Sequence, residues 1–595
     1  MKVHFAAVNA SYMHTSLAVR SIEAFVRANL PSESGIELSF GEYTINEPHV
    51  DIIRKIAQTH ADLVLFSTYI WNAQVCENLI SDVKNVLPGA VVGAGGPEFG
   101  YAADKYLSKL SALDFVIFGE GERTVLDLLV EFNKTRDWSK VPGIYYRKAF
   151  IKSENDFSSG SDISRNARAA ISFSNPRPLI ENLDELPFSY PELLTDTFEP
   201  DNKIYYYESS RGCPYSCSYC LSSVDKTVRF KSTEKVFSEL KIFLDANVKL
   251  VKFVDRTYNL NPERYISIWK YILQNHNGKT MFHFEIEAEY LSKDALEFLQ
   301  SVPSGVMQFE IGVQTANKKT LKAINRSENI EKLAENIRQI PRTIHQHLDL
   351  IAGLPYEDIK SFGKSFDFVM SLKPDALQLG FLKVLNGTSM QKFASENDYK
   401  WQTNAVYEIF STPYMSFDQM MFLKDIETLV DEFWNKHIFD NTTKYIFNTV
   451  SPFAFFESLC HFARKKGTFT QARKDLYWFE LLNEYFGCLK NDKMQFENVS
   501  ELKGVESFDY LLLSNLLRYD FVLTGKKGGF PSWYEHRYDK ERHRALLEEK
   551  GLLHSTRLAF ALTEYEVFDF DVSKEVPLEN KKRTELLIEY KEQKR

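Results

Sequence analysis

Short apolar runs alternate with amphipathic helical segments twice along this chain, and few folds accommodate that rhythm. In the first series Val3–Val8, Ile36–Phe40, Leu63–Ser67, Ala90–Val92 and Phe115–Phe118 read as strands. Segments such as Val50–Ala57 and Ala73–Val86 separate them, and Thr15 or Ser16 can cap a helix running to about Leu30. Five strands linked by helices predict a doubly wound parallel sheet. A Ser-, Asn- and charge-rich stretch, Lys152–Pro178, then reads as an exposed connection or long hairpin. The second series has strands expected at Lys203–Tyr207, Lys249–Val254, Phe282–Glu289, Val306–Val313, Ile344–Ile351 and Ala376–Val384, with helices such as Pro262–His276 and Ile359–Leu372 between them.

Directly after the first strand of the second series lies RGCPYSCSYC, which sets Cys213, Cys217 and Cys220 at C-x3-C-x2-C spacing. A 4Fe–4S cluster normally takes four protein thiolates, so three leave one iron open to a substrate or cosubstrate. A structural zinc site would need a fourth ligand, usually from a second pair, and Cys76, Cys460 and Cys488 are isolated. Disulfides are unexpected in a large chain that opens without a signal peptide.

The motif resembles that of the radical S-adenosylmethionine (radical SAM) enzymes, and Tyr219 matches the family's usual aromatic before the third cysteine. The resemblance implies that the six strands form a partial (β/α)6 barrel with the cysteines at its carboxyl end, where active sites of such barrels lie. It places S-adenosylmethionine near Tyr219, Asp255, Glu287, Gln314, Ile351 and Gly353, the last three within FEIGVQTANKKTL and DLIAGLPYED. Glu285, Glu287 and Glu289 share one face by period-two alternation, where the family often shows an arginine. His345, His347 and Asp349 also share a face; a barrel-hydrolase metal site would need further ligands from other strands, so the barrel interior is the expected place for them.

In doubly wound sheets ligands sit beyond the carboxyl ends of the strands. Polar and glycine-rich residues stand there in the first series: Ser11, Ser67, Thr68, Gly95, Gly96, Gly119 and Glu120. A dinucleotide would want G-x-G-x-x-G in the first turn, but Asn9–His14 contains no glycine. The pattern is similar to the cobalamin-binding domain that precedes many radical SAM domains, and those seven residues are the expected cobalamin contacts. D-x-H-x-x-G, the motif of histidine-ligated cobalamin, is absent, so His14 is expected to make a local hydrogen bond.

The expected organisation is therefore a cobalamin-binding-like domain over residues 1–140, a linker over 141–198, a radical SAM barrel over 199–395 and a mainly α-helical domain over 396–595. In the last, Met421–Trp434, Pro452–Arg464 and Lys474–Tyr485 read as helices, Lys581–Arg583 as a solvated helix end, and His536 and His543 as surface histidines. A net charge of −9 argues against a broad nucleic-acid surface, and no apolar run approaches membrane-spanning length. A cytoplasmic, oxygen-sensitive protein is expected.

The resemblance implies a cluster that reduces S-adenosylmethionine to methionine and a 5′-deoxyadenosyl radical, with a flavodoxin or ferredoxin as electron donor. With cobalamin over the same mouth, methyl transfer to an unactivated carbon, or ring closure, is the expected outcome. The alternatives are a cobalamin-independent rearrangement or methylthiolation enzyme with a vestigial first domain, and a non-catalytic cobalamin or iron–sulfur sensor.

Overall fold

The computed structural model describes residues 1–135, 137–147, 171–195, 197–327, 329–491, 505–525, 529–552, 559–560, 562–574 and 581–590. Of the connection expected over Lys152–Pro178, residues 152–170 lie outside these.

The first sheet contains β1 (Lys2–Asn9), β2 (Glu37–Thr44), β3 (Leu63–Ser67), β4 (Val91–Gly95), β5 (Phe115–Ile117), β6 (Ile144–Arg147) and β7 (Ile171–Phe173), in the order β2-β1-β3-β4-β5-β6-β7. The five strands expected from the sequence are parallel, and β6 and β7 extend the sheet antiparallel, beyond the boundary expected at residue 140. The pleat divides the core. Ala6, Val8, Val64 and Phe66 pack on one face, while Val3, Phe5, Ala7, Leu63 and Leu65 pack on the other. Near-continuous apolar strands result because helices cover both sides. The order reverses between β1 and β3, which makes the loops after these strands the switch point at which ligands enter such sheets.

The second sheet contains β8 (Ile204–Tyr207), followed by a two-residue ladder of β9 (Ser210–Arg211) with β10 (Arg229–Phe230), and then β11 (Leu250–Phe253), β12 (Met281–Ile286), β13 (Met307–Gln314), β14 (His345–Ala352) and β15 (Ala376–Phe381). Six of these strands run parallel in the order β15-β14-β13-β12-β11-β8, the open barrel expected from the sequence. The alternation that was to hold three glutamates on one face stops at Ile286: a 3-10 turn over Ala288–Tyr290 follows, so only Glu285 lies on the strand.

The last third is mainly helical. Helix Pro452–Lys465 packs against helix Ile359–Ser371 beside the barrel, where Gly363 leaves room for the Phe453 ring, and helix Phe417–Val430 packs on Pro452–Lys465 in turn. Barrel and helices share one continuous apolar core that runs from Tyr190 to Val572. Lys581–Arg583 precede a strand, Thr584–Glu589, paired antiparallel with Thr563–Phe568, instead of ending a helix. His543 is buried between Tyr538 and Thr563 instead of lying on the surface, because the hairpin closes over it. No helix among the described residues is long and apolar enough to cross a membrane.

Candidate active site

The cysteine loop leaves β8 and returns through β10. Gly212 takes φ +93°, and a Cβ there would collide with the Thr227 carbonyl oxygen, so only glycine lets the chain turn before Cys213. The Cys213 amide donates to the Asp225 carbonyl at 3.2 Å, the Cys220 amide to the Cys217 carbonyl at 3.2 Å, and the Ser218 amide to the Ile324 carbonyl at 3.0 Å. The loop is thus pinned at both flanks. All six cysteines are free thiols. Burial pushes the Cys217 thiol up, Arg326 beside it pulls it down, and Cys220 and Cys213 add to the rise. One loop carries three sulfur donors, and their sulfurs do not all lie within 4.8 Å of one another; among the described residues the one gathering of three or more His, Cys, Asp or Glu ligand atoms that tight is at His536, Glu564 and Glu566. Three thiols without a fourth tight partner fit a multi-iron cluster with an open position better than a closed single-ion site.

Arg326, which the sequence reading did not single out, organises this mouth. Its guanidinium donates to Glu287 at 2.5 Å, to the Gly312 carbonyl at 2.7 Å and, more loosely, to Tyr219 Oη at 3.5 Å. Burial opposes its charge, but Tyr219, Glu287 and Cys217 outweigh that cost and hold it above its ordinary pKa. The third strand leads into acids where the family often shows an arginine, and here Arg326, from the segment after the fourth strand, neutralises Glu287. Arg326, Glu287, Cys217 and Tyr215 line a cleft at this mouth.

The other expected cosubstrate residues are placed as follows. Asp255 is fully buried, and accepts from the Ser209 amide (3.0 Å), Ser209 Oγ (2.7 Å) and Ser210 Oγ (2.5 Å), so its carboxyl braces the segment leading into the cysteine loop. Burial raises its pKa against those bonds. Gln314 sits at a register shift with φ +68° and folds its amide back over Gly312. Ile351 faces the barrel mouth half-buried, and Gly353 (φ +88°) packs against Ile409 and Met420 of the C-terminal third.

The carboxyl edge of the first sheet faces the same mouth. Thr68, after β3, bonds the Gly95 carbonyl through Oγ1 and accepts from the Phe99 amide, and Gly96 (φ +100°) lets the two strand ends approach. Ser67 is buried and hydrogen-bonds Tyr69. Gly119 (φ +81°) faces open space, whereas Glu120 is engaged by Arg229 at 2.8 Å and by Arg211 at 3.3 Å. Ser11 accepts from the His14 amide. His14 Nδ1 lies 2.7 Å from Tyr206 Oη, and Met13 accepts from the Ile204 amide, so the first turn is stitched along β8. The bond that occupies the histidine runs to the barrel strand β8, 192 residues away, instead of being the local one expected. At the switch point Tyr12, Met13 and Trp71 stand exposed, with Trp71 stacked on Tyr69. An open glycine edge rimmed by exposed apolar side chains fits a large, flat, partly apolar ligand such as a corrin.

Strand ends meet strand ends across this space. Tyr69 lies within electrostatic reach of Glu208 and Arg256, Tyr101 packs on Gly387, and Glu98 accepts from Tyr407. The carboxyl edges of the two sheets are therefore packed toward each other.

Comparison with known proteins accords with this geometry. Residues 3–129 match the model of the B12 binding domain, residues 207–369 that of the radical SAM superfamily, and residues 395–588 that of a protein of unknown function, DUF4080. An uncharacterized methyltransferase of Pyrococcus horikoshii, PH0819, is 25% identical over 57% of this chain and 70% of its own. The cobalamin-dependent radical SAM methyltransferase TokK of Streptomyces tokunonensis is 24% identical over 51% of this chain; the match spans 44% of TokK. The structure of the cobalamin-dependent S-adenosylmethionine radical enzyme OxsB, with aqua-cobalamin and S-adenosylmethionine bound, superposes with a TM-score of 0.57 at 14% identity, covering 94% of this chain and 83% of that one.

Proposed function

We propose that this chain, which joins a B12-binding domain to a radical SAM domain, is a cobalamin-dependent radical SAM enzyme that methylates, or closes a ring at, an unactivated carbon. The observation that carries this reading is the set of ion pairs by which Arg211 and Arg229, on either side of the cysteine loop, hold Glu120 and Glu122 of the turn after β5, so that the cysteine loop and the carboxyl edge of the first sheet are fixed side by side. Cys213, Cys217 and Cys220 would hold a 4Fe–4S cluster, and the edge from Ser67 to Gly119 would hold cobalamin. When bound, the cluster supplies the electron that cleaves S-adenosylmethionine to a 5′-deoxyadenosyl radical, and cobalamin supplies a methyl-carrying metal centre.

The chain's own residues do the positioning. Asp255 and Asn259 brace the segments that flank the cysteine loop: Asn259 donates to the Glu287 carbonyl and accepts from its amide, both at 2.9 Å. Arg326 offers the mouth a fixed cation, suited to a carboxylate such as that of methionine, while Glu287 offers an acceptor for an ammonium group. Ile351, half-buried near the end of β14, offers an apolar contact for a planar base. Arg211 and Arg229 clamp the Gly119 turn against the cysteine loop and so set the separation of the two cofactor positions. We assign the enzyme to a reducing cytoplasm with a flavodoxin- or ferredoxin-type donor, a setting that its six free thiols and open iron would both require.

Anaerobic reconstitution with iron, sulfide and hydroxocobalamin, followed by assay for 5′-deoxyadenosine and S-adenosylhomocysteine, tests the proposal. Release of both supports methyl transfer, and the nucleoside alone with cobalt retained supports ring closure. Nucleoside release without cobalt retention would favour the vestigial-domain enzyme. Cobalt retention without any nucleoside release would favour a sensor.

A further inference from the structure

The barrel interior below the mouth is unusually charged. On β14 the odd-numbered residues His345, His347, Asp349 and Ile351 are half-buried, and their even-numbered neighbours are fully buried against the helices, so the odd face lines the lumen. Register carries the same face across the sheet: Asp349 lies beside Gly312, His347 beside Glu310, and Glu310 beside Glu285. Lys252 completes the ring from β11.

Most of these groups have partners. Lys252 Nζ lies 2.9 Å from Glu310, and His283 Nε2 lies 3.0 Å from the same carboxylate. Arg256 reaches Glu285 at 3.7 Å. Asp349 differs. Its Oδ1 accepts no hydrogen bond, and the nearest counter-group is His347 Nε2 at 3.8 Å. Three carboxylates thus share this lumen, and Asp349 is the one with a buried oxygen that has no hydrogen-bond partner. The Asp349 side chain is 19% exposed and that of His347 25%, although both lie inside a barrel; the surface they retain is lumen. Burial, then Glu310 and Glu285, push the Asp349 carboxyl well above its ordinary range, while Lys252 and Arg326 oppose the shift. Arg326, beside Cys217 at the mouth, is also within electrostatic reach of Asp349.

A buried acid with no donor is costly, and a bound cation with N–H groups would remove that cost. We propose that Asp349, flanked by His347, is a recognition site for a cationic N–H group of the substrate: an ammonium, amidinium or guanidinium remote from the carbon that reacts. The assignment rests on the radical SAM reading of the barrel and deepens it by naming a substrate class. Binding a remote charged group in this way would hold the reacting carbon at the mouth.

Thermal unfolding of the full chain with n-butylguanidinium and n-butylammonium as probes tests the site, with tetramethylammonium and butanoate as controls at equal ionic strength. The two N–H cations should raise the midpoint saturably, and the controls should not. Asp349→Asn should raise the half-saturating concentration about tenfold or more; Asp349→Ser is the second variant if the first fails to fold. An unchanged response in the folded variant, or equal stabilisation by butanoate, would overturn the assignment. Nucleoside release by the wild-type enzyme is scored separately: its failure with the N–H cation response intact would remove the radical chemistry and leave the cation site standing.

Discussion

Arg211, two residues before the first motif cysteine, donates to Glu122 of the first domain at 2.5 Å, and its Nε bonds Glu208 at 2.8 Å. Arg229 adds a second strut: it bonds Glu120 at 2.8 Å and Asp225 at 3.0 Å, and the Asp225 carbonyl in turn holds the Cys213 amide. The turn after β5 and the cysteine loop are therefore one ion-paired unit. Removing one partner leaves buried carboxylates uncompensated, so Arg211→Gln should cost about 3 kcal/mol. Urea unfolding should then separate into two transitions, one for each α/β domain.

The pair of Arg326 and Glu287 is buried as well, each side chain retaining less than a fifth of its surface. A double-mutant cycle of Arg326→Gln and Glu287→Gln should give a coupling energy of about 2 kcal/mol in urea unfolding. Additive effects would mean that the mouth arginine acts on something other than the glutamate.

Two glycines at positive φ should respond differently. Gly212→Ala places a methyl group against the Thr227 carbonyl and should cut iron loading severely. Gly119→Ala meets no atom within 4 Å, so its cost should stay near the 1–2 kcal/mol of left-handed backbone, roughly. If the Gly119 edge receives a corrin, the same variant should retain less hydroxocobalamin after gel filtration while still taking up iron.

Glu357, in the fifth-strand segment, is fully buried, and its Oε2 has no partner. Burial lifts its pKa from 4.5 to about 7 despite donors from Thr315 and Ser365. The native state therefore binds more protons than the unfolded chain across this window, and stability falls as pH rises from about 4.5 to 7 by about 3 kcal/mol at most. Glu357→Gln should lack that component, so the wild-type deficit relative to the variant should widen between pH 5 and pH 8 in urea titrations.

The alternation of strands and helices was legible because each parallel strand is buried on both faces and reads as a short apolar run. Cys213, Cys217 and Cys220 were legible because one loop carries all three. Arg326 and Arg229 were not, since their acidic partners lie 39 and 109 residues away in the chain. Arg211 stood in the quoted motif, but nothing local paired it with Glu122. Asp255 and Glu120 were read as ligand contacts from their strand-end positions, and the protein groups that engage both, from segments distant in the chain, were not foreseen. The hairpin that buries His543 was missed because the charges at Lys581–Arg583 dominate the segment before it.

The most direct measurement compares wild type with Cys217→Ala after oxygen-free reconstitution, by iron and sulfide analysis and by 5′-deoxyadenosine release. Wild type should hold about four iron and four sulfide per chain and cleave S-adenosylmethionine; the variant should do neither. Zinc in the wild-type loop, or nucleoside release by the variant equal to wild type, would contradict the account.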